Sequence, residues 1–225
     1  MSRQVTPEPD TTDPGKPVAR KRNRRGEGGR LRTELVAAAS RLLETVDSED
    51  GLSLRAVARE VGVSAPSVYL QFADKEKLMW AVLEERFIEL RDVIEEAASA
   101  ADGPAEELRA RCVAYCMFGL EQPGNYRVLF SAVSTYKPDV ALDQLPGADV
   151  FFGLVGAVMR CVEAGVARRL DPFLAGTVLW STLHGMVMLR ISKPVFPWPS
   201  IETLIRHLLV EQIGLSFDGT EEEVS

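Results

Sequence analysis

Residues 54–78 read LRAVAREVGVSAPSVYLQFADKEKL, and this stretch decides the fold. Val57, Ala58 and Val61 give a short helix one apolar side. Gly62 follows, the residue type that accepts the left-handed backbone of a sharp turn. Val63 is placed to drop into the core behind the turn, and Ser64 to cap the next helix by accepting a backbone N–H. Pro66 falls in that helix's first turn, where its missing N–H is no loss. A helix over 65–71 then exposes Ala65, Ser67, Tyr69 and Gln71 and turns Val68 and Phe72 inward. So short a helix has little stability alone. Two such helices about a tight turn are the layout of a helix-turn-helix, whose second helix lies in a DNA major groove.

Working outward, every element reads as helix. The first spans about 30–46, with an apolar stripe at Leu35, Ala39, Leu42 and Val46. After the motif, Asp74 caps a long fourth helix over about 75–100, with Leu83, Phe87, Leu90 and Ile94 on one face. Pro104 and Pro123 start helices that run to about Leu120 and Val133. Tyr136 to Gly147 is a loop, and Asp149 to Arg168 is apolar nearly all round, the mark of a buried helix. Asp171 and Pro172 start a helix to about 191, and a final striped helix runs over about 200–214. The expected fold is all-α, about nine helices in total. An N-terminal three-helix head (30–76) carries the motif, and a larger helical body (77–217) follows.

The stretch Leu31 to Phe87 resembles the DNA-binding domain of the TetR family of transcriptional regulators. That family ends its second motif helix with a tyrosine, two variable positions and Phe, then a Lys-Glu pair. Tyr69, Phe72, Lys75 and Glu76 fill those places. Gln71 stands where the family often has His or Tyr, which bears on the DNA sequence read, because Gln can bond adenine N6 and N7 together. Further on, Trp180, His184 and Gly185 in LWSTLHGMVML look like the ligand-binding domain of one TetR subgroup, which carries Trp, His and Gly on its eighth helix. Pro123, Tyr126, Arg127 and Phe130 are similar to that subgroup's sixth helix. The resemblance implies a repressor that binds a palindromic operator as a homodimer and is released by a small molecule.

Charge supports a division of labour. The net charge is −7, yet residues 1–80 carry 14 Lys/Arg against 12 Asp/Glu, so the deficit sits in the body. Residues 1–29 read as a disordered arm, punctuated by Pro7, Pro9, Pro14 and Pro17. Its basic run continues into the head, with eight Lys/Arg between Lys16 and Arg32 against Glu27 alone, suited to phosphates or the minor groove. Residues 218–225 form an acidic tail. Three cysteines give no disulfide framework and point to a reducing, cytoplasmic compartment. Phe173 to Leu189 has no charged residue with His184 neutral, but is short for a span and reads as a helix shared between core and subunit interface, with no membrane partner.

Phosphate contacts place a head and base contacts select sequence. Ser53, Arg55, Tyr69 and Lys75 suit the backbone, Lys75 together with the start of the fourth helix, and Arg32 opens the first helix beside them. Ala65, Ser67 and Gln71 suit base edges, with Ala65 and Pro66 placed for a thymine methyl and Ser64 at the helix start. In the body, Tyr115, Phe118, Tyr126, Phe130, Phe152, Met159, Trp180 and His184 are the candidate lining of an apolar small-molecule pocket. The helices over about 172–191 and 200–214 suit a four-helix dimer interface. No phosphate loop or nucleophile motif marks an enzyme, and no cofactor or metal is expected. Cys112 and Cys116, four apart, leave a metal- or redox-sensing regulator as an alternative, and a DNA binder without ligand as another.

Overall fold

Gly62 adopts φ 75° and ψ 33°, the left-handed turn expected of it. Two backbone bonds close around it, Gly62 N–H to Arg59 O at 3.2 Å and Val63 N–H to Ala58 O at 2.9 Å. This pairing satisfies two carbonyls at the end of one helix and re-aims the chain for the next. The computed structural model describes residues 28–45, 52–131 and 140–217. The nine α-helices of these residues are α1 (Gly28–Thr45), α2 (Leu54–Val61), α3 (Ala65–Tyr69), α4 (Lys75–Ser99), α5 (Pro104–Glu121), α6 (Pro123–Ser131), α7 (Ala148–Glu163), α8 (Pro172–Ser192) and α9 (Ile201–Leu208). No strand occurs among them.

The helix starts follow local chemistry. Ser53 Oγ accepts from Ala56 N–H at 3.1 Å, Asp74 Oδ1 from Lys77 N–H at 2.8 Å, and Asp171 Oδ1 from Phe173 N–H at 2.9 Å. Several ends differ from the sequence reading. α1 begins at Gly28, two residues inside the arm read as disordered, so Gly28 and Gly29 are helix. α3 stops at Tyr69, with Leu70 and Gln71 forming a turn that brings Phe72 N–H to Val68 O at 2.9 Å. α7 stops at Glu163, where the chain turns through Ala164 and Gly165, so Arg168 lies beyond it. There Arg168 Nη2 donates to the carbonyls of Glu211 and Gln212, at 2.7 and 2.6 Å. These belong to a π turn, Leu209–Ile213, that continues α9. Val46, the rest of the basic arm and the acidic tail lie outside the described residues.

Two buried clusters organise the chain. The head cluster joins Leu35, Ala39, Val57, Ala58, Val68 and Phe72, with Val61 and Val63 packed against it half-buried. It also takes in Leu78, Met79, Ala81 and Val82 from α4, and Val128 from α6. The body cluster is built on α5, which packs against α4, α6, α7, α8 and α9 and buries Leu108, Cys112, Tyr115, Cys116 and Phe118. Leu90 and Ile94 near the far end of α4 belong to the body, so one helix is rooted in both cores. So is α6: Val128 sits in the head, while Tyr126 and Leu129 sit in the body.

α7 and α8 are less buried than their apolar sequences suggest. Phe152 and Met159 on α7, and Phe173, Leu174, Val178 and Leu189 on α8, are exposed. Among the described residues α8 is the one helix long and apolar enough to cross a membrane, by length and composition only.

Candidate functional site

The head presents α3 outward. Ser64, Pro66, Tyr69 and Leu70 are exposed, Ala65, Ser67 and Gln71 are half-buried, and Val68 and Phe72 are buried. Leu70 is the clearest departure from the sequence reading. It is 85% exposed, an apolar side chain held in water at the end of the motif. Because α3 ends two residues earlier than expected, the outward direction passes to Leu70, and Gln71 is partly withdrawn. Leu70 fills one of the two positions between Tyr69 and Phe72 treated as variable, and that adjacency to Tyr69 is the signal that marks it. Tyr69 beside it is 52% exposed.

Two serines take different parts. Ser53 is the N-cap of α2, and its hydroxyl hydrogen remains to donate elsewhere. Ser64 makes no side-chain cap bond, correcting the expectation; its Oγ pairs instead with Ser67 Oγ at 2.8 Å, one hydroxyl turn from the start of α3. Arg55 is exposed on the first turn of α2. Lys75 is the first residue of α4, next to the Asp74 cap. The Arg32 guanidinium lies over the Phe72 ring, 4.4 Å from its centroid, which ties α1 to the end of the motif and keeps the charge at the surface.

The body holds a cavity of about 360 Å³, within the range of small-molecule sites. α4 and α6 supply Phe87 and Phe130 on one side; α7 and α8 supply Phe151, Phe152, Phe173 and Trp180 on the other. Phe151 meets Phe173 and Trp180 at centroid distances of 5.5 and 5.8 Å in edge arrangements. Gly147 closes one wall. Its φ is 83°, and an added Cβ would stand 2.4 Å from the Phe87 ring, so the close approach of the loop to α4 requires glycine.

Four of the eight expected pocket residues line this space: Tyr115, Phe130, Phe152 and Trp180. Phe118 is packed into the body core, and Met159 is 45% exposed on the outer side of α7, so neither reaches it. Tyr126 and His184 stand one layer behind. Tyr126 Oη is 2.9 Å from Tyr115 Oη and 2.8 Å from His184 Nδ1. Tyr126 can donate to a neutral His184 Nδ1 while accepting from Tyr115, or accept from His184 Nδ1–H while donating to Tyr115. Burial pulls the imidazole below its ordinary pKa and pushes both phenols above theirs.

Arg111 also lines the cavity and was not singled out from the sequence. Its Nη1 and Nη2 donate to the two carboxylate oxygens of Glu95 at 2.7 and 2.8 Å, and Nε donates to Glu107 at 2.9 Å. Glu107 also accepts from Arg160 Nε at 2.9 Å. Hydrogen bonds from Arg111 hold the Glu95 carboxyl below the usual range; bonds from Arg160, then Arg111, do the same for Glu107. The pairing of Arg111 with Glu107 lies at a helical spacing; that with Glu95 crosses from α5 to α4, which no local pattern reveals.

The cysteine alternative is not favoured. Cys112, Cys116 and Cys161 are free and buried, and no cluster of three or more metal-ligating side chains occurs among the described residues. Burial pushes the Cys116 and Cys161 thiols up to about 12 and about 11, away from the reactive thiolate.

The geometry thus defines an all-helical chain with a helix-turn-helix head and a cavity-bearing body, joined by two shared helices. Residues 35–82 match the profile of the bacterial regulatory proteins of the tetR family, and residues 108–211 match a tetracyclin repressor-like C-terminal domain. The chain belongs to the TetR family. It is 29% identical over 122 residues to the HTH-type transcriptional regulator Rv1816 of Mycobacterium tuberculosis, a match covering 52% of this chain and 50% of that protein. The chain spans about half the length of the curated relatives it matches. A protein of unknown function from Rhodococcus sp. RHA1 superposes with TM-score 0.68 at 26% identity, over 79% of this chain and 90% of that one. The transcriptional regulator FadR of Bacillus subtilis, solved in complex with stearoyl-CoA, shares the fold with TM-score 0.64 at 16% identity, over 80% and 97%.

Proposed function

We propose that this chain is a sequence-specific DNA-binding transcriptional regulator, a repressor that holds a palindromic operator as a homodimer and releases it when a small, mostly apolar molecule fills the body cavity. The observation that carries this reading is the outward side of α3. Pro66, Tyr69 and Leu70 stand exposed with no partner role in the head core, beside the hydroxyl pair of Ser64 and Ser67. Arg55, Lys75 and the surface charge of Arg32 flank that side as phosphate contacts. FadR's bound stearoyl-CoA supports a ligand-holding body in this fold.

Release follows from the shared helices. Phe87 and Ile94 of α4 line the cavity, and the same helix reaches the head core at Leu78 to Val82. On α6, Phe130 lines the cavity while Val128, two residues away, is buried in the head. A ligand that prefers one cavity shape shifts the population toward it and repositions the head through both helices. A ligand without that preference changes nothing.

Two heads present two α3 helices to half-sites about one turn (~34 Å) or a multiple apart. The exposed apolar side chains of α8 supply the main dimer surface. The outward side of α9 and of the π turn that continues it carries Glu202, Arg206, His207 and Glu211 with Val210, so its share of the four-helix interface is largely polar. Selection of duplexes from a random pool by the full chain tests the reading. A palindrome with that half-site spacing is the expected result, and failure to enrich any duplex would overturn it.

A further inference from the structure

The charge arrangement at the cavity narrows what can enter it. Arg111 is the one side chain carrying formal charge that lines the cavity, among the described residues. It is not available as a counter-ion. Glu95 grips it with both oxygens, and Glu107 takes Nε, while Arg160 balances Glu107 from the other side. Two arginines and two glutamates close into a group of zero net charge. A carboxylate or phosphate entering beside it would find Glu95 already in place, and would lose its hydration with no cation released to meet it. A guanidinium has five N–H donors, and three are committed to these carboxylates, so two remain for a neutral oxygen acceptor. Thr177, whose hydroxyl donates to Phe173 O at 2.8 Å, keeps oxygen lone pairs for a ligand donor. The remaining walls are apolar, partly aliphatic through Ile94, Leu145, Leu154 and Leu183, with aromatic faces from Phe87 and Phe130 on one side to Phe151, Phe173 and Trp180 on the other.

From this we infer that the cavity selects uncharged aromatic compounds carrying a hydroxyl or carbonyl oxygen, and rejects their carboxylate counterparts because Glu95 occupies Arg111. The inference rests on reading the cavity as the effector site. A ring between the two aromatic walls replaces water against apolar surface, and its oxygen meets the Arg111 N–H groups or Thr177. Glu95 thereby acts as a specificity residue without contacting the ligand, by keeping the arginine neutralised.

The test uses the full-length protein, isothermal titration calorimetry and two probes of one frame, 2-naphthol and 2-naphthoate. Wild type is expected to bind 2-naphthol and to bind 2-naphthoate about tenfold more weakly or worse. Glu95→Gln gives the group a net positive charge, so 2-naphthoate gains about tenfold while 2-naphthol changes little. Glu95→Asp keeps the charge and the discrimination. Phe151→Ala, with its fold checked by circular dichroism, weakens 2-naphthol and places the site. Equal or tighter binding of 2-naphthoate to wild type overturns the inference, as does binding of neither probe, an unchanged ratio in Glu95→Gln, or undiminished 2-naphthol binding in Phe151→Ala. Operator anisotropy run in parallel separates the two readings. Naphthoate that binds better and releases operator overturns the selectivity alone. Naphthol that binds selectively without releasing operator upholds the selectivity and counts against the release mechanism.

Discussion

Leu70→Ala separates DNA contact from folding at a single residue. The side chain is 85% exposed, so the folded chain has almost nothing to lose, and thermal stability should move by less than about 0.5 kcal/mol. On an operator the outcome differs. The substitution removes three carbons, worth about 0.8 kcal/mol each when fully covered. Partial cover by a thymine methyl leaves about 1 kcal/mol per head. A dimer uses two heads, so the loss is about 2 kcal/mol, or roughly 30-fold in affinity. Fluorescence anisotropy on the selected operator and thermal melting of the free protein measure the two quantities. Val68→Ala, two residues away, is the counterpart. It is fully buried, so it should lose about 2 kcal/mol of folding stability, and operator affinity only through that loss. Unchanged operator affinity in Leu70→Ala, or a destabilisation comparable to Val68→Ala, would refute the placement of this side chain in the groove.

Further outcomes follow from the same geometry. Gly62→Ala should cost about 1–2 kcal/mol by urea unfolding, because φ is 75° and an added Cβ meets nothing within 4 Å; Gly62→Asn should cost less. Val128→Ala should cost about 2 kcal/mol, and 2-naphthol should then lower operator affinity by a smaller factor than in wild type, read by anisotropy. His184 has its folded pKa depressed by burial, so its contribution is fully present above the unfolded value of roughly 6.5 and is lost as pH falls below it. His184→Gln should therefore flatten the stability difference between pH 7.5 and pH 5.5 in urea titrations.

The head was legible because its rules are local. A left-handed glycine, a proline in a first turn and aspartate caps each act within a few residues, and Gly62, Pro66, Asp74 and Asp171 all behave as their chemistry dictates. Ser64 did not, and its hydroxyl pairs with that of Ser67 instead of capping the backbone. The body was legible as helices but not as a site. α8 is apolar on all sides, so periodicity gives it no inward direction, and the apolar side of α7 is broad enough to include both Met159 and Phe152, which spacing could not sort. Phe87 and Phe151 became cavity walls only when α4 and α7 were brought together. Arg111 stayed hidden because Glu95 lies on another helix.

The central claim is that α3 and the turn after it lie against base edges. Amide hydrogen exchange of the full chain, with and without the selected operator, tests it most directly. Slowed exchange from Ala65 to Phe72 is the predicted result. Unaltered exchange there, with the duplex bound and protection found elsewhere, would contradict it.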